Sequence, residues 1–399
     1  MPFIFPKLLS MKLQHFWLLL LMCLSSFPHC DAVHSSPIAS EANALLKWKI
    51  SLDNQSQASL SSWSGNSSCN WLGIACDHSN HVFKINLPSI GLRGTLQNLN
   101  FSLLTNIHTL NVSNNNLNGS IPPQIGVLSN LIVLDLSANK LSGIIPSEIT
   151  QLINLHKLNI SHNTFSGSLP QEIGRLLELR VLDIPWCNLT GTIPISIEKL
   201  NNLFHLNVGG NNLSGSIPQR IWHMDLKFLS LAINKFHGSI PNEIVNMRNL
   251  EILYLWKSGL SGTIPQQIEM LGKLIHLEMS SCNLTGSIPV SIGALTNLSL
   301  LSLHDNQLSG HIPSEIGKLI NLKILYLQNN NLSDSIPREI GNLSNLNNLN
   351  LYGNQFSGSI PREIGFLRKL YELDLSENFL SGKIPTTIGN LSNLTFLYL

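Results

Sequence analysis

The chain has 399 residues, of which 43% are apolar and 12% are charged, so it holds enough apolar material for a continuous core. Its 24 lysines and arginines nearly balance its 23 aspartates and glutamates. This balance argues against a nucleic-acid-binding protein, because such a protein needs a basic face to neutralise phosphates.

The first 32 residues have the pattern of a secretion signal. Lys7 and Lys12 supply positive charge, an apolar run follows at residues 16–24, and Cys30 and Ala32 stand at the −3 and −1 positions for cleavage after Ala32. The run is shorter than the roughly 20 residues that a membrane-spanning helix needs. The sequence therefore predicts a signal peptide at 1–32, entry into the secretory pathway and no other membrane segment. A buried apolar helix is the alternative interpretation.

Residues 33–81 are predicted to form an N-terminal cap that covers the first repeat. Ser40 is the expected N-cap of a short helix, in which Ala42, Leu45, Leu46 and Ile50 follow at helical spacing.

Two of the six cysteines are expected to form a disulfide within this cap. Cys23 and Cys30 leave with the signal, whereas Cys69 and Cys76 remain in an oxidising compartment with six residues between them. A disulfide that closes this small loop is worth about 2–3 kcal/mol in the chain-entropy model.

From Val82 onward one pattern recurs: L-x-x-L-x-L-x-x-N-x-L-S-G-x-I-P-x-x-I-G-x-L-x-x. We number the repeats by their second leucine position, and the spacing is 24 residues except for one step of 25 and one of 23. The markers are Ile85, Leu110, Leu134, Leu158, Leu182, Leu206, Leu229, Leu253, Leu277, Leu301, Leu325, Leu349, Leu373 and Leu397. A period held this long predicts a solenoid, with about 13 complete 24-residue repeats in residues 82–399 and a truncated 14th.

The spacing within a repeat predicts an α/β leucine-rich-repeat solenoid with a helical N-terminal cap. In L-x-L both leucines point to the core while the residue between them faces solvent, and stacked repeats then form a parallel sheet on the concave face. The asparagine is expected to pair backbone groups of adjacent turns. It is present in nine of the thirteen complete repeats. These are Asn115, Asn139, Asn163, Asn211, Asn234, Asn306, Asn330, Asn354 and Asn378.

Cys187 and Cys282 occupy this asparagine position in repeats 5 and 9. They are four repeats apart, which is roughly 19 Å at the usual strand spacing. Because a disulfide needs Cα atoms within about 7 Å, these two cysteines are expected to remain unpaired.

The sequence resembles the ectodomains of plant leucine-rich-repeat receptor kinases. The resemblance rests on G-x-I-P at residues 143–146, 215–218 and 310–313, and on A-L-L-K-W-K at 44–49 and C-N-W-L-G-I-A-C at 69–76. Within this family the chain is most similar to the male-discoverer-interacting receptor-like kinase subfamily. The resemblance implies a right-handed superhelix, a peptide-type ligand on the inner face and a co-receptor kinase. The family's C-terminal cap, membrane helix and kinase domain are not present in these 399 residues, which we interpret as a truncated chain.

Solvent-facing strand positions are usually Asp, Asn or Ser in this family, so larger residues there mark a candidate recognition surface. Aromatic side chains on an exposed strip supply large, rigid contact area. In repeats 5 to 12 the candidates are Trp186, His205, Phe228, Tyr254, Trp256, Lys257, His276, Glu278, Ser302, His304, Asp305, Tyr326 and Tyr352. The alternative is that some of these side chains only pack on one another.

Fourteen N-x-S/T sequons predict surface glycans. They are Asn54, Asn66, Asn100, Asn111, Asn118, Asn159, Asn188, Asn212, Asn283, Asn297, Asn331, Asn342, Asn390 and Asn393. Only Asn111 and Asn159 fall on inner-face strand positions, in repeats 2 and 4, so the inner face of repeats 5 to 12 is predicted to be free of glycans.

The chain contains no phosphate-binding loop, no kinase H-R-D or D-F-G motif and no G-x-S-x-G elbow, so we expect no enzyme activity and no cofactor. Its histidines lack metal-site spacing, although His276 and His304 on adjacent strands could form a pH-sensitive contact. The main hypothesis is a receptor ectodomain at the plasma membrane. The alternatives are a secreted inhibitor of an extracellular enzyme, similar to polygalacturonase inhibitors, and an unproductive gene fragment.

Overall fold

The computed structural model of the protein describes residues 37–399, so the predicted signal peptide lies outside the described residues. The described chain begins with two helices, Pro37–Ser51 and Asn54–Ser59. Ser40 lies inside the first helix rather than at its N-cap, which corrects the sequence prediction. Proline is favoured in the first turn of a helix because that turn needs no backbone N–H donor.

The apolar residues noted at helical spacing do not all reach the core, since 67% of Ile50 is exposed. The buried side of the helix carries Ala44, Leu45 and Trp48 instead. At about 100° per residue, Ile50 points almost opposite to Trp48. Ala42 is buried as expected.

One long sheet runs through the described chain and confirms the predicted solenoid. Fourteen strands are parallel, and a cap strand that sequence analysis missed pairs antiparallel with the first of them. In order along the sheet the strands are Ile74–Cys76, Val82–Asn86, Thr109–Asn111, Val133–Asp135, Lys157–Asn159, Val181–Asp183, His205–Asn207, Phe228–Ser230, Ile252–Tyr254, His276–Glu278, Leu300–Ser302, Ile324–Tyr326, Asn348–Asn350, Glu372–Asp374 and Phe396–Tyr398.

The strands pair in register at the marker leucines, so that Leu253 lies opposite Leu277 and Leu277 opposite Leu301. These three side chains are fully buried. Their neighbours along each strand face the other side of the sheet, because side chains alternate. We call this other side the inner face.

Each repeat closes with a short 3-10 helical turn on the opposite side of the core. In repeat 2, Pro122 has extended backbone angles directly before such a turn, and Ile125 and Leu128 are buried against the sheet, as the I-G-x-L pattern predicts. The turns are Phe101–Leu103, Pro123–Val127, Ser147–Gln151, Ile173–Arg175, Ile195–Lys199, Gln219–His223, Asn242–Asn246, Gln266–Met270, Val290–Ala294, Ser314–Lys318, Arg338–Asn342, Arg362–Phe366 and Thr386–Asn390.

A second row of short parallel strands lies beside the core and was not predicted from the sequence. All but two of the strands contain or directly precede the glycine position of the repeat, and Gly143 has φ 76°, a backbone angle that favours glycine. The exceptions are Asn331–Leu332 and Phe379–Leu380, which end two residues before it. After Asn331–Leu332, Asp334 takes the glycine position with φ 64°. The strands are Arg93–Thr95, Asn116–Gly119, Lys140–Ile144, Thr164–Ser166, Ser214–Ser216, Lys235–His237, Gly262–Thr263, Leu284–Gly286, Gln307–Gly310, Asn331–Leu332, Ser357–Gly358 and Phe379–Leu380.

The predicted asparagine ladder is confirmed. Asn139 is typical: its Nδ2 donates to the carbonyls of Val112 (3.0 Å) and Leu136 (3.1 Å), and its Oδ1 accepts from the N–H of Leu117 at 3.0 Å. Each asparagine thus ties its repeat to the previous one by pairing backbone groups that are buried away from water.

Cys187 and Cys282 replace the asparagine and remain unpaired thiols, as predicted. Their Sγ atoms donate to the carbonyls of Ile160 (3.2 Å) and Leu255 (2.9 Å), so each keeps one bond of the ladder. Burial raises the pKa of the Cys187 thiol to about 12.

The cap is joined to the first repeat by polar and aromatic contacts. The buried carboxylate of Glu41 accepts a hydrogen bond from the N–H of Val82 at 2.9 Å, and the indole N–H of Trp48 donates to the Thr95 carbonyl at 2.8 Å. The predicted disulfide between Cys69 and Cys76 is present, with a Cα–Cα distance of 5.3 Å.

Candidate ligand-binding surface

The inner face of the long sheet brings four of the predicted residues into one continuous ladder. The rings of His205 and Phe228 stack with centroids 4.3 Å apart, and Phe228 meets Tyr254 edge-on at 5.9 Å. Tyr254 stacks on His276 at 6.2 Å, and its hydroxyl is hydrogen-bonded to the His276 Nδ1 at 2.9 Å. These residues come from four consecutive strands, so a ridge crosses repeats 6 to 9.

The alternative interpretation was that some of these side chains only pack on one another. The side chains of the ladder do pack on one another. Each nevertheless stays half-buried on the inner face, opposite the leucine core. The leucine core is complete without them, and their open edges remain available for contact.

Trp186 lies at the N-terminal end of this surface and is 50% exposed. Its indole covers Gly210 of the next repeat, where an added Cβ would lie within 2.5 Å of the ring. Trp186 has φ 55°, a left-handed conformation that is uncommon for a bulky residue. Gly210 therefore leaves the space that the indole occupies, and the sequence pattern gave no sign of this pairing.

Trp256 and Lys257 extend the surface beside the ladder. The Lys257 Nζ lies 5.9 Å from the centroid of the Trp256 ring, at the outer limit of a cation–π contact. Lys257 is exposed and has φ 50° in the turn after the strand.

A second group comes from repeats 10 and 11. The Nδ1 of His304 donates to Asp305 at 2.8 Å, and Asp305 also accepts a hydrogen bond from Asn329 at 2.7 Å. Burial opposes ionisation of Asp305, but the hydrogen bonds from Asn329 and His304 outweigh it, so the pKa of Asp305 is below its usual value. The His304 ring meets Tyr326 edge-on at 6.4 Å.

Glu278 and Ser302 lie side by side between these two groups, on paired strands. Burial raises the pKa of the Glu278 carboxyl, and His304 nearby opposes that shift. Ser302 is only 2% exposed, and its hydroxyl has no hydrogen-bond partner among the described residues. Tyr352 stands apart, in repeat 12, where a hydrogen bond to Glu377 raises the pKa of its hydroxyl.

The prediction from the sequence did not include Gln328, whose Oε1 is also buried without a partner in residues 37–399. Nor did it identify a second row of asparagines outside the sheet. Their Nδ2 atoms donate to backbone carbonyls of the preceding repeat at 2.7–3.1 Å. The N-L-x-x-L spacing was the signal that could have found this row, which consists of Asn130, Asn154, Asn202, Asn297, Asn321 and Asn345.

None of the sequon asparagines is buried, so glycosylation at all of them remains a prediction. The two inner-face sequons use their amides within the protein: Asn111 donates to Asn86 at 2.8 Å and Asn159 to Asp135 at 3.3 Å.

Among residues 37–399 there is no helix long and apolar enough to cross a membrane. No group of three or more metal-binding side chains occurs in the same residues.

Family models match most of the described chain. A leucine-rich-repeat N-terminal domain matches residues 38–77, and a leucine-rich-repeat region matches 219–336 and 301–399. Leucine-rich-repeat models also match 105–165, 178–200 and 202–224.

The chain is similar to a probable leucine-rich-repeat receptor-like protein kinase of Arabidopsis thaliana, with 41% identity over 113 residues. That match covers 27% of this chain and 10% of the relative, so the chain spans a small part of the curated protein's length.

Two solved structures are similar over longer stretches. The plant peptide hormone receptor RGFR1 in complex with RGF2 is 35% identical with a TM-score of 0.69, covering 77% of this chain and 54% of the receptor. A leucine-rich-repeat protein of Leptospira interrogans is 31% identical with a TM-score of 0.58, covering 78% of this chain and 88% of that protein. The chain therefore belongs to the leucine-rich-repeat family, with repeats and an N-terminal domain of the kind found in plant receptor-like kinases.

Proposed function

We propose that this chain is the extracellular ligand-binding part of a plant cell-surface receptor kinase or receptor-like protein, and that its inner face binds a secreted peptide. The observation that carries the proposal is the continuous ladder of His205, Phe228, Tyr254 and His276. These rings lie on a rigid sheet and face away from a core that is complete without them.

An aromatic ladder of this kind fits recognition better than scaffolding. Aromatic side chains provide large contact areas at low entropic cost, and they are enriched where binding energy concentrates. The similar plant structure is that of a peptide hormone receptor in complex with RGF2, which supports this proposal.

The size of the surface indicates the size of the ligand. Repeats 5 to 12 are separated by seven strand steps of about 4.8 Å, which gives a strip of roughly 34 Å. An extended chain advances about 3.4 Å per residue, so a peptide of about ten residues spans the strip.

The remaining parts of the proposal follow from the family. We place the chain in the male-discoverer-interacting receptor-like kinase subfamily. Its 38% identity over 111 residues with an MDIS1-interacting receptor like kinase of Arabidopsis thaliana supports this placement. A co-receptor kinase at the plasma membrane would then bind beside the ligand, and the glycan-free inner face of repeats 5 to 12 would remain open to the peptide.

The test is retention of peptides from plant extracellular fluid by the immobilised, secreted chain, with mass spectrometry of what is bound. The strip variant combines Phe228→Ala with Tyr254→Ala. The control is Phe366→Ala, an aromatic residue that is 55% exposed on a 3-10 turn away from the inner face.

Peptides that the parent and the control retain but the strip variant releases would support the proposal. Equal retention by all three chains would refute the inner face as the binding surface. Capture of an intact extracellular enzyme, with inhibition of its activity, would favour the inhibitor alternative instead.

A further inference from the structure

Glu278 differs from every other acidic residue on the strands of the inner face in residues 37–399. Each of the others accepts a hydrogen bond from a neighbouring side chain. No hydrogen bond or ion pair reaches the Glu278 carboxylate from residues 37–399, although burial is sufficient to raise its pKa. The acidic residues on these strands are Asp135, Asp183, Glu278, Glu372 and Asp374.

Two polar groups on the following two repeats are unpartnered too. Ser302 lies directly opposite Glu278 on the next strand and points to the inner face, because Leu301 beside it points to the core. Gln328 stands two residues after Tyr326, the residue that pairs with Ser302 on the next strand. The hydroxyl of Ser302 and the Oε1 of Gln328 are both buried without a hydrogen bond in the described chain. Burying polar groups in this way is costly unless a partner arrives.

Aromatic rings border these three acceptors. Tyr326 is paired with Ser302 on the following strand, and His304 packs edge-on against Tyr326. Tyr254 lies on the other side. Burial raises the pKa of the Tyr254 hydroxyl, and the nearby charge of Glu278 raises it further. The charged groups nearby are His276, His304, Lys257 and Asp305, and none of them forms an ion pair with Glu278 within residues 37–399.

We propose that Glu278, Ser302 and Gln328 bind the guanidinium group of an arginine side chain in the ligand. This inference rests on the proposed function and names the chemistry of one position of the peptide. A guanidinium group offers five N–H donors in one plane and stacks on aromatic faces. It therefore matches one carboxylate, two further acceptors and a ring wall better than the compact ammonium group of lysine.

The site makes an unusual prediction about stability, because its polar groups are unsatisfied in the free protein. Glu278→Gln and Ser302→Ala should each raise the unfolding temperature of the free protein by about 1–3 °C while weakening the binding of arginine-bearing peptides. Asp374→Asn is the matched control, since Asp374 occupies the same strand position in repeat 13 but accepts hydrogen bonds from Ser376 at 2.6 and 3.0 Å. That variant should lower the unfolding temperature and leave peptide selection unchanged.

The experiment is selection from a random-peptide display library by the secreted chain and its variants. We expect the parent and Asp374→Asn to enrich peptides with arginine at one shared position. A synthetic copy of an enriched peptide should bind Glu278→Gln about tenfold to a hundredfold more weakly, the range for hydrogen bonds to charged groups. Replacing its arginine by lysine should weaken binding to the parent.

The possible failures can be told apart. Enriched peptides without a shared arginine, or equal binding by Glu278→Gln, would overturn the arginine site and leave the proposed function standing. If the parent enriches no peptide at all, both the arginine site and the peptide-binding function are overturned.

Discussion

The inner faces of repeats 1 to 4 and of repeats 5 to 12 are built on the same leucine core, yet they differ in chemistry. In the first region the polar side chains pair with one another: Lys157 donates to Asp135 at 3.0 Å, and Asn111 donates to Asn86 at 2.8 Å. In the second region aromatic rings stack, and Glu278 and Ser302 have no partners within the described chain. The polar groups of the first region are paired, whereas the second region has aromatic rings and unpaired polar groups. The chemistry of the inner face can therefore change between repeats while the leucine core stays the same.

Because the two regions share the asparagine ladder, removing one ladder asparagine should lower the free energy of unfolding equally in both. Asn139→Ala in the first region and Asn211→Ala in the second should each lower the free energy of unfolding by about 3–5 kcal/mol, because several buried backbone groups lose their partner. Urea unfolding would measure this.

Asn130→Ala is the control for the ladder, since its amide makes one exposed bond to the Thr105 carbonyl at 3.1 Å. It should cost no more than about 1 kcal/mol. Similar losses at Asn130 and Asn139 would contradict a special role for the buried ladder.

Removing the disulfide should lower the stability of the cap and repeat 1 only. Cys69→Ser with Cys76→Ser is expected to destabilise the cap by about 2–3 kcal/mol through the freed loop. Because repeats contact only their neighbours, hydrogen exchange should rise in the cap and repeat 1 and stay unchanged in repeats 6 to 9. Faster exchange along the whole chain would show that the two regions are coupled.

Single inner-face substitutions should separate stacking from surface ion pairing. Phe228→Ala should cost about 1–2 kcal/mol of stability because it interrupts the ladder between His205 and Tyr254. Lys157→Ala should change stability by less than about 1 kcal/mol, since its ion pair with Asp135 is partly exposed. Thermal unfolding of both variants measures the two effects. Equal losses of stability would contradict the expectation that ring stacking contributes more than this ion pair.

The smallest expected effect is a pH dependence. Glu278 has a raised pKa in the folded protein, so its ionised form destabilises the fold at neutral pH. This penalty is relieved as the pH falls through the raised pKa toward the ordinary value of 4.5. The stability advantage of Glu278→Gln over the parent should therefore shrink on acidification. An advantage that stayed constant or grew would contradict the assignment.

Much of the fold was predictable because it depends on local spacing. The leucines, the ladder asparagines and the Cys69–Cys76 disulfide follow from residue type and period. The spacing of Ala42, Leu45, Leu46 and Ile50 did not show that Ile50 is exposed, because several helical faces fit a short apolar pattern and only packing against the first repeat selects one of them. The second row of short strands escaped notice because its pairing depends on the stacking of neighbouring repeats.

The sequence by itself determined the solenoid, because a 24-residue period with inward leucines leaves one way to bury the apolar side chains. It also identified which inner-face residues depart from the polar norm. Only the tertiary structure decided which of these meet, since Phe228 and Tyr254 are distant in sequence and touch because their strands are paired. It likewise decided that Glu278 is left without a partner, because pairing across repeats depends on the side chains that neighbouring strands bring alongside.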